Sequence, residues 1–304
     1  MELLKRYKSY LRLERNYSRH TIDAYLRDVE RLIEYIEQEK GPSFSFRSVT
    51  LKDLQAFAAS LHDDSIGARS QCRVLSGVRA FFRFLEQEDE VSSDPSELLE
   101  SPQLGVHLPE VLTVDEVDAI ENSIDLSKNE GHRNKAIIEV LFSCGLRVSE
   151  LVNLKLSDLY LEDGYIRVFG KGSKERFVPI SSSAIKELKL WFEMRNHMDI
   201  KHGNEDYVFL NRRGSRLTRT MILIMVKRQA EQAGITKVIS PHTFRHSFAT
   251  SLLEGGADLR AIQAMLGHEK IGTTEIYTHI DTSHLREEIL YHHPRNIKDR
   301  AKKG

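Results

Sequence analysis

A mainly helical chain in two folding units, with one small β element, is predicted by three features of the sequence. Apolar residues recur at spacings of three and four along most of its length, which is the period of an amphipathic helix. The pattern breaks between Ser92 and Pro109, where Pro95, Pro102, Gly105 and Pro109 give the composition of a linker. Only Tyr165 to Ile180 turns to β-branched and aromatic residues, around the Gly170-Lys171-Gly172 run of a hairpin. At 304 residues the chain has room for two units of roughly 100 to 200 residues, each able to bury a core. The predicted bounds are a helical unit over 1–102, a linker over 103–110 and a second, mixed but mostly helical unit over 111–304.

Taken in order, Tyr25, Leu26, Val29, Leu32, Ile33 and Ile36 form one apolar stripe, with Ser18 or Thr21 available to cap its start. Thr50 followed by Asp53 resembles a capping box and opens a helix through Leu54, Phe57, Ala58 and Leu61. The next helix covers Ala68 to Gln87. Its apolar residues Val74, Leu75, Val78, Phe81, Phe82 and Leu85 share one side, and Arg69, Arg73, Arg79 and Arg83 gather opposite. An arginine face without neighbouring carboxylates suits a phosphate backbone, and a merely solvated face fits it equally.

Beyond the linker, Thr113 and Glu116 give a second capping box. Ala136, Ile137, Val140, Leu141 and Cys144 mark a buried helix that stops at Gly145. After the hairpin, helical patterns cover Ala184 to Met198, Thr218 to Ala233, His242 to Glu254 and Leu259 to Leu266, with Gly255 and Gly267 as terminators.

Composition excludes several classes. The stretch from Met1 to Leu13 is interrupted by Lys5, Arg6, Lys8 and Arg12, unlike a signal peptide, and the longest purely apolar run, Met221 to Val226, is far short of the ~20 residues that cross a bilayer. Two cysteines, Cys72 and Cys144, suit a reducing compartment and rule out a cysteine zinc site, so a cytoplasmic protein is expected. The formal net charge is −1, which announces no polyanion partner in bulk. The distribution is more informative: Tyr207 to Ala230 holds Arg212, Arg213, Arg216, Arg219, Lys227 and Arg228 with no acidic residue, a local positive surface.

The residues that could carry chemistry come late in the chain. Arg147 stands where a helix stops at Gly145 and another begins, with Glu150 three residues on, close enough to fix its guanidinium through a bidentate pair. Alone, that pair reads as an ordinary surface bridge. Then come His242-Thr243-Phe244-Arg245-His246, Leu266-Gly267-His268 and Thr274-Glu275-Ile276-Tyr277. His242 and Arg245, three apart on a helix, can face one anion together. His242 and His246 have the spacing of a metal pair, but no Glu follows His242 and no third ligand is indicated. A phosphate-cradling loop at Gly170 to Lys174 fails because the earlier glycine is missing and a strand follows.

This set, in this order and over nearly the whole chain, resembles the tyrosine recombinase (phage integrase) family, in its XerC/XerD type. The resemblance extends to the Ser18, Thr21, Tyr25 and Asp28 pattern and to His293-Pro294-Arg295. It implies a helical, SAM-like core-binding domain followed by a catalytic domain. It also implies that Arg147, Lys171, His242, Arg245 and His268 act around Tyr277 as the nucleophile, with Glu150 orienting Arg147 and with no cofactor, ATP or metal. Physical chemistry suits those roles. Two arginine forks can hold the nonbridging oxygens of a five-coordinate phosphorus, imidazole titrates where it can take a phenol's proton, and lysine can protonate a departing oxygen.

The resemblance further implies double-stranded DNA as partner, a tetrameric synapse with itself or a second Xer recombinase, and an FtsK-like translocase, with no membrane. Chromosome-dimer resolution at a dif-like site is the expected task, and Ser283 to Tyr291 with the tail are candidates for exchange between subunits. An integrase of a phage or mobile element, a relaxing activity of the type IB topoisomerase kind and a non-catalytic DNA-binding relative are the other readings.

Overall fold

The computed structural model describes residues 2–104, 110–170, 174–267 and 282–301. The chain divides into two compact units, Met1–His107 and Leu108–Gly304.

The first unit is built from α1 (Glu2–Leu13), α2 (Arg19–Lys40), α3 (Leu51–Asp63) and α4 (Ala68–Gln87). The apolar side of α4 forms its centre: Val74, Leu75, Val78, Phe81, Phe82, Phe84 and Leu85 are all essentially buried. Val29, Leu32 and Ile36 of α2 and Leu54, Phe57 and Leu61 of α3 close over it in one apolar cluster. The α1 helix, which apolar periodicity alone does not predict, is anchored by Tyr7 and Leu11; the Tyr7 ring lies 5.0 Å from Phe81, edge-on, and 5.2 Å from Phe84. Burying each such side chain stabilises by roughly 2–3 kcal/mol, and Leu3, Leu4 and Tyr10 add partly buried contacts to the same cluster. The caps form as predicted. Ser18 Oγ accepts from the Thr21 amide, and Thr50 and Asp53 cap one another at the start of α3.

The second unit contains α5 (Val114–Asn122), α6 (Gly131–Cys144), α7 (Val148–Asn153), then β1 (Leu159–Tyr160), β2 (Tyr165–Phe169) and β3 (Glu175–Pro179). After these come α8 (Ser182–Arg195), α9 (Arg219–Gln232), α10 (Pro241–Glu254), α11 (Leu259–Leu266), α12 (Thr282–His292) and α13 (Pro294–Ala301). Helix α6 runs through the middle and is buried on every side from Ala136 to Cys144, with α5, α8 and α10 around it. The β element is a three-stranded antiparallel sheet in the order β1-β2-β3, one short strand more than the predicted hairpin. Ile166 pairs with both Leu159 and Val178, and Ile166, Val168 and Val178 turn inward to the main core.

Gly255 ends α10 as predicted, at φ −72, and Gly256 follows at φ +90. A Cβ on Gly255 would lie 2.3 Å from the His292 carbonyl oxygen, so glycine is required there for the close approach of α12. The α8 helix stops at Arg195, short of the predicted Met198, where its bonds tighten to three-residue turns: the amides of His197 and Met198 donate to the carbonyls of Met194 and Arg195.

The C-terminal segment packs on its own unit. Leu285 and Ile289 join Phe248, Leu252 and Ala261 in a small apolar cluster. Arg295 inserts among Asp118, Glu121 and Glu139. No helix among the described residues is long and apolar enough to cross a membrane.

Candidate active site

The site forms where the end of α6, the starts of α7 and α10, and the end of α11 meet beside β3. Helix α6 ends at Gly145, whose φ of +58 is a left-handed turn that a side chain disfavours, and whose Cβ position lies 2.4 Å from the Phe248 ring. The turn exposes the Gly145 carbonyl to Arg245 Nη1, which donates to it at 2.6 Å. It also delivers Arg147 to the N-cap of α7 in extended conformation. There the Arg147 amide donates to Glu150 Oε2 and its Nη1 to Glu150 Oε1, both at 2.8 Å.

Glu150 therefore does hold Arg147, but not by the expected bidentate fork. The fork comes from Arg176 on β3, whose Nη1 and Nη2 donate to Oε1 and Oε2 at 2.8 and 2.9 Å. Glu150 is 5% exposed. Burial pushes its carboxyl up, and the two arginines outweigh burial and hold it below the usual carboxylate range.

All three guanidinium groups also reach the C-terminal end of α11. Arg176 Nε donates to the Met265 carbonyl at 2.7 Å, Arg245 Nη2 to Leu266 at 2.5 Å, and Arg147 Nη2 to Gly267 at 2.8 Å. These carbonyls lack partners within the helix and sit at the negative end of its dipole, so cations are favoured there. Arg245 is 7% exposed, and burial first, then the charge of Arg147, pushes it down to about 10. A guanidinium so crowded by its own kind is poised for an anion, and two planar forks side by side match the oxygens of a phosphodiester.

The structure thus brings together Arg147, Glu150 and Arg245 of the predicted residues. His242 is exposed in the first turn of α10, three residues before buried Arg245, and His246 is exposed one turn later. Pro241 at the first helical position, with the Ser240 amide donating to Thr243 Oγ1 at 3.1 Å, fixes where that turn begins. Lys171, His268 and Tyr277 lie outside the described residues. The chain enters them from defined points: the Gly170 amide donates to the Lys174 carbonyl at 2.8 Å, and Gly267 immediately precedes His268 in sequence. Arg176 was invisible to sequence reasoning, because its partner is 26 residues away. No group of three or more His, Cys, Asp or Glu among the described residues could hold a metal ion.

The predicted DNA-binding arginines divide. On α4, Arg69 and Arg83 are exposed. Arg73 is not free, as a carboxylate-free face would require: its Nη1 and Nη2 donate to buried Asp28 of α2, both at 2.7 Å. Arg79 folds back onto the Leu99 carbonyl and Ser101 Oγ. In the second unit Arg212, Arg213 and Arg219 are exposed, and Arg216 stacks 5.1 Å from the Tyr207 ring and donates to Asn153 Oδ1 at 2.5 Å.

The chain is similar to known proteins over most of its length. The model of the phage integrase family matches residues 110–284, and that of the phage integrase N-terminal SAM-like domain matches 4–89. The chain belongs to the phage integrase family. Among these tyrosine recombinases it is 40% identical over 293 residues to the tyrosine recombinase XerD of Staphylococcus saprophyticus, covering 96% of this chain and 99% of that one. The XerD of Staphylococcus aureus is also 40% identical over 293 residues, with the same coverage. Of solved structures, the XerH site-specific recombinase bound to palindromic difH substrate after cleavage is 26% identical with a TM-score of 0.70, covering 94% of this chain and 83% of that one. The mostly helical fold with a small sheet is that of this family.

Proposed function

We propose that this tyrosine recombinase cleaves and rejoins DNA at a specific site through a covalent 3′-phosphotyrosyl bond at Tyr277. The observation that carries the reading is the pairing of Arg147 and Arg245 on adjacent carbonyls, Gly267 and Leu266, directly before His268. A phosphodiester entering there takes the donors those carbonyls now occupy. Tyr277 Oη attacks the phosphorus and the bond to the 5′ oxygen breaks. His242 takes the phenol proton, which needs help to leave because a phenol titrates near 10, and Lys171 protonates the departing oxygen. Arg147, Arg245 and His268 hold the nonbridging oxygens as charge develops on them. The phosphotyrosine conserves the energy of the broken bond, so a 5′ hydroxyl from a partner strand reverses the step without ATP.

The task we assign is resolution of chromosome dimers at a dif-like site, supported by the relatives named XerD and by a structural neighbour solved on difH. In this reading the SAM-like unit and the catalytic unit both bind duplex DNA, in a cytoplasmic tetramer with a second Xer recombinase or with copies of itself. An FtsK-like translocase acts as regulator. Of the candidate arginines we assign exposed Arg69, Arg83, Arg212, Arg213 and Arg219 to phosphate contact. A nicked suicide duplex carrying the host's dif sequence tests the reading. Wild-type protein should give a denaturant-resistant adduct that is absent with Tyr277→Phe and on duplex of unrelated sequence. Tight binding with no wild-type adduct would refute it.

A further inference from the structure

Of the three arginines on the end of α11, Arg176 is the one that forks both oxygens of Glu150 and at the same time holds a carbonyl of that helix end. Its side chain is 13% exposed, it donates to both oxygens of Glu150, and its Nε holds the Met265 carbonyl at 2.7 Å. Glu150 has its remaining contacts with the Arg147 amide and Nη1. Gly267 leaves room for this side chain: a Cβ there would press on Arg176 Cδ, Nε and Cζ, each at 3.3 Å, at a residue whose φ of +64 already favours glycine. We infer that Arg176 is a positioning residue of the cleavage reaction: from β3 it fixes the orientation of Glu150, and so of Arg147, and registers both against the helix end that leads into His268 and Tyr277.

The inference rests on the reading of Arg147 and Arg245 as phosphate-binding groups. Its physical basis is geometric. A carboxylate held by Arg147 alone could rotate, and with it the guanidinium that must meet the phosphate. Held also by a planar fork from a strand, it has one orientation. Misplacing a catalytic group by about 1 Å costs on the order of 100-fold in rate. The strand that carries Arg176 is β3, so one side chain ties that strand, the arginine pair and the α11 end together.

The charged groups that face Glu150 among the described residues are Arg147 at the start of α7, Arg176 on β3 and Arg245 on α10. Removing Arg176 takes away the strongest influence that holds the Glu150 carboxyl down against burial. An acid limb should then enter the cleavage profile from below, because protonated Glu150 no longer orients Arg147.

Single-turnover cleavage of the suicide duplex by the full chain is the test, with duplex affinity and Trp191 fluorescence measured in parallel. Arg176→Gln should keep affinity within about threefold and lower the cleavage rate roughly 10- to 100-fold. Its rate should also fall more steeply than wild type on acidification, and Arg176→Gln with Glu150→Gln should lose that added steepness. Arg176→Lys keeps the charge but cannot fork Glu150 while holding Met265, so it should remain at least about tenfold slow, and it decides the matter where Arg176→Gln fails to fold. Wild-type rate and pH profile in Arg176→Lys, with Arg147→Ala inactive, would overturn the inference and leave the site standing. Wild-type cleavage by Arg147→Ala and Arg245→Ala would instead overturn the reading of the site.

Discussion

Replacing Glu121 with glutamine should flatten the alkaline fall in stability of the second unit. Glu121 on α5 is 9% exposed and Glu139 on α6 is fully buried, with Arg295 Nη2 2.9 Å from Glu121 Oε1 and its Nε 2.9 Å from Glu139 Oε2. One guanidinium shared by Glu121, Glu139 and Asp118 leaves excess negative charge out of water, and the pair relieves it by keeping a proton. Burial first, then the charge and hydrogen bond of Glu139, push Glu121 up to about 9. In the unfolded chain this carboxyl titrates near ~4.3, so the native state holds a proton that the unfolded state loses. The stabilisation is complete below that value and drains away as pH rises toward 9.

For one proton the slope is about 1.4 kcal/mol per pH unit, so the wild type should lose about 2 kcal/mol relative to Glu121→Gln between roughly pH 7.0 and 8.5. His293 does not interfere in that window. Burial pushes it down to about 4, so its contribution is fully present above its unfolded value and is lost only as pH falls through the folded one. Trp191 provides the signal: it is the single tryptophan, 1% exposed in the core of this unit. Urea titrations followed by its fluorescence across the window should converge with the variant's on the acid side and separate on the alkaline side. Parallel pH dependences would refute the protonated pair.

Gly145→Ala should destabilise the second unit by about 3 kcal/mol, combining the ~1–2 kcal/mol cost of a left-handed alanine with overpacking against Phe248. Melting followed by Trp191 fluorescence should show Tm lower by roughly 6–12 °C, and an unchanged Tm would mean that the Phe248 ring yields freely. On α4, Arg69→Gln and Arg83→Gln should each lower the slope of log affinity against log salt for duplex DNA by about 0.9, read by fluorescence anisotropy. Arg73→Gln should leave that slope alone and cost the first unit about 1–3 kcal/mol, read by circular dichroism, by stranding Asp28. An equal loss of salt slope in Arg73→Gln would overturn the structural role given to this arginine.

The helices with well-separated faces were legible to the residue: α4 spans Ala68–Gln87 and α11 spans Leu259–Leu266, as their apolar spacing requires. Capping boxes at Thr50 and Thr113 were equally legible, since both partners lie within one turn. Elements with too few periods to count were not. The β1 strand has two residues, and α1 buries only Tyr7 and Leu11, so neither carries a repeat that rises above chance. Their stability comes from partners supplied by the rest of the unit: β1 pairs with β2, and Tyr7 finds its ring contacts on α4.

The same boundary between local and distant runs through the site. Spacing placed Glu150 beside Arg147, and the pair exists, because both sit on one turn of α7. Spacing could not say which guanidinium would fork the carboxylate, since Arg176 arrives from a strand 26 residues on. The reading of this face of α4 as free of carboxylates failed at Arg73 for a related reason. A helical wheel sorts residues against one neighbour, and α4 has more than one. Gly77 marks where α2 comes close: a Cβ there would stand 2.6 Å from Asp28 Oδ2. A glycine inside a strongly amphipathic helix is therefore the local sign that a second element crosses at that level. Any charge one turn away, as Arg73 is, then belongs to the crossing before it belongs to a ligand.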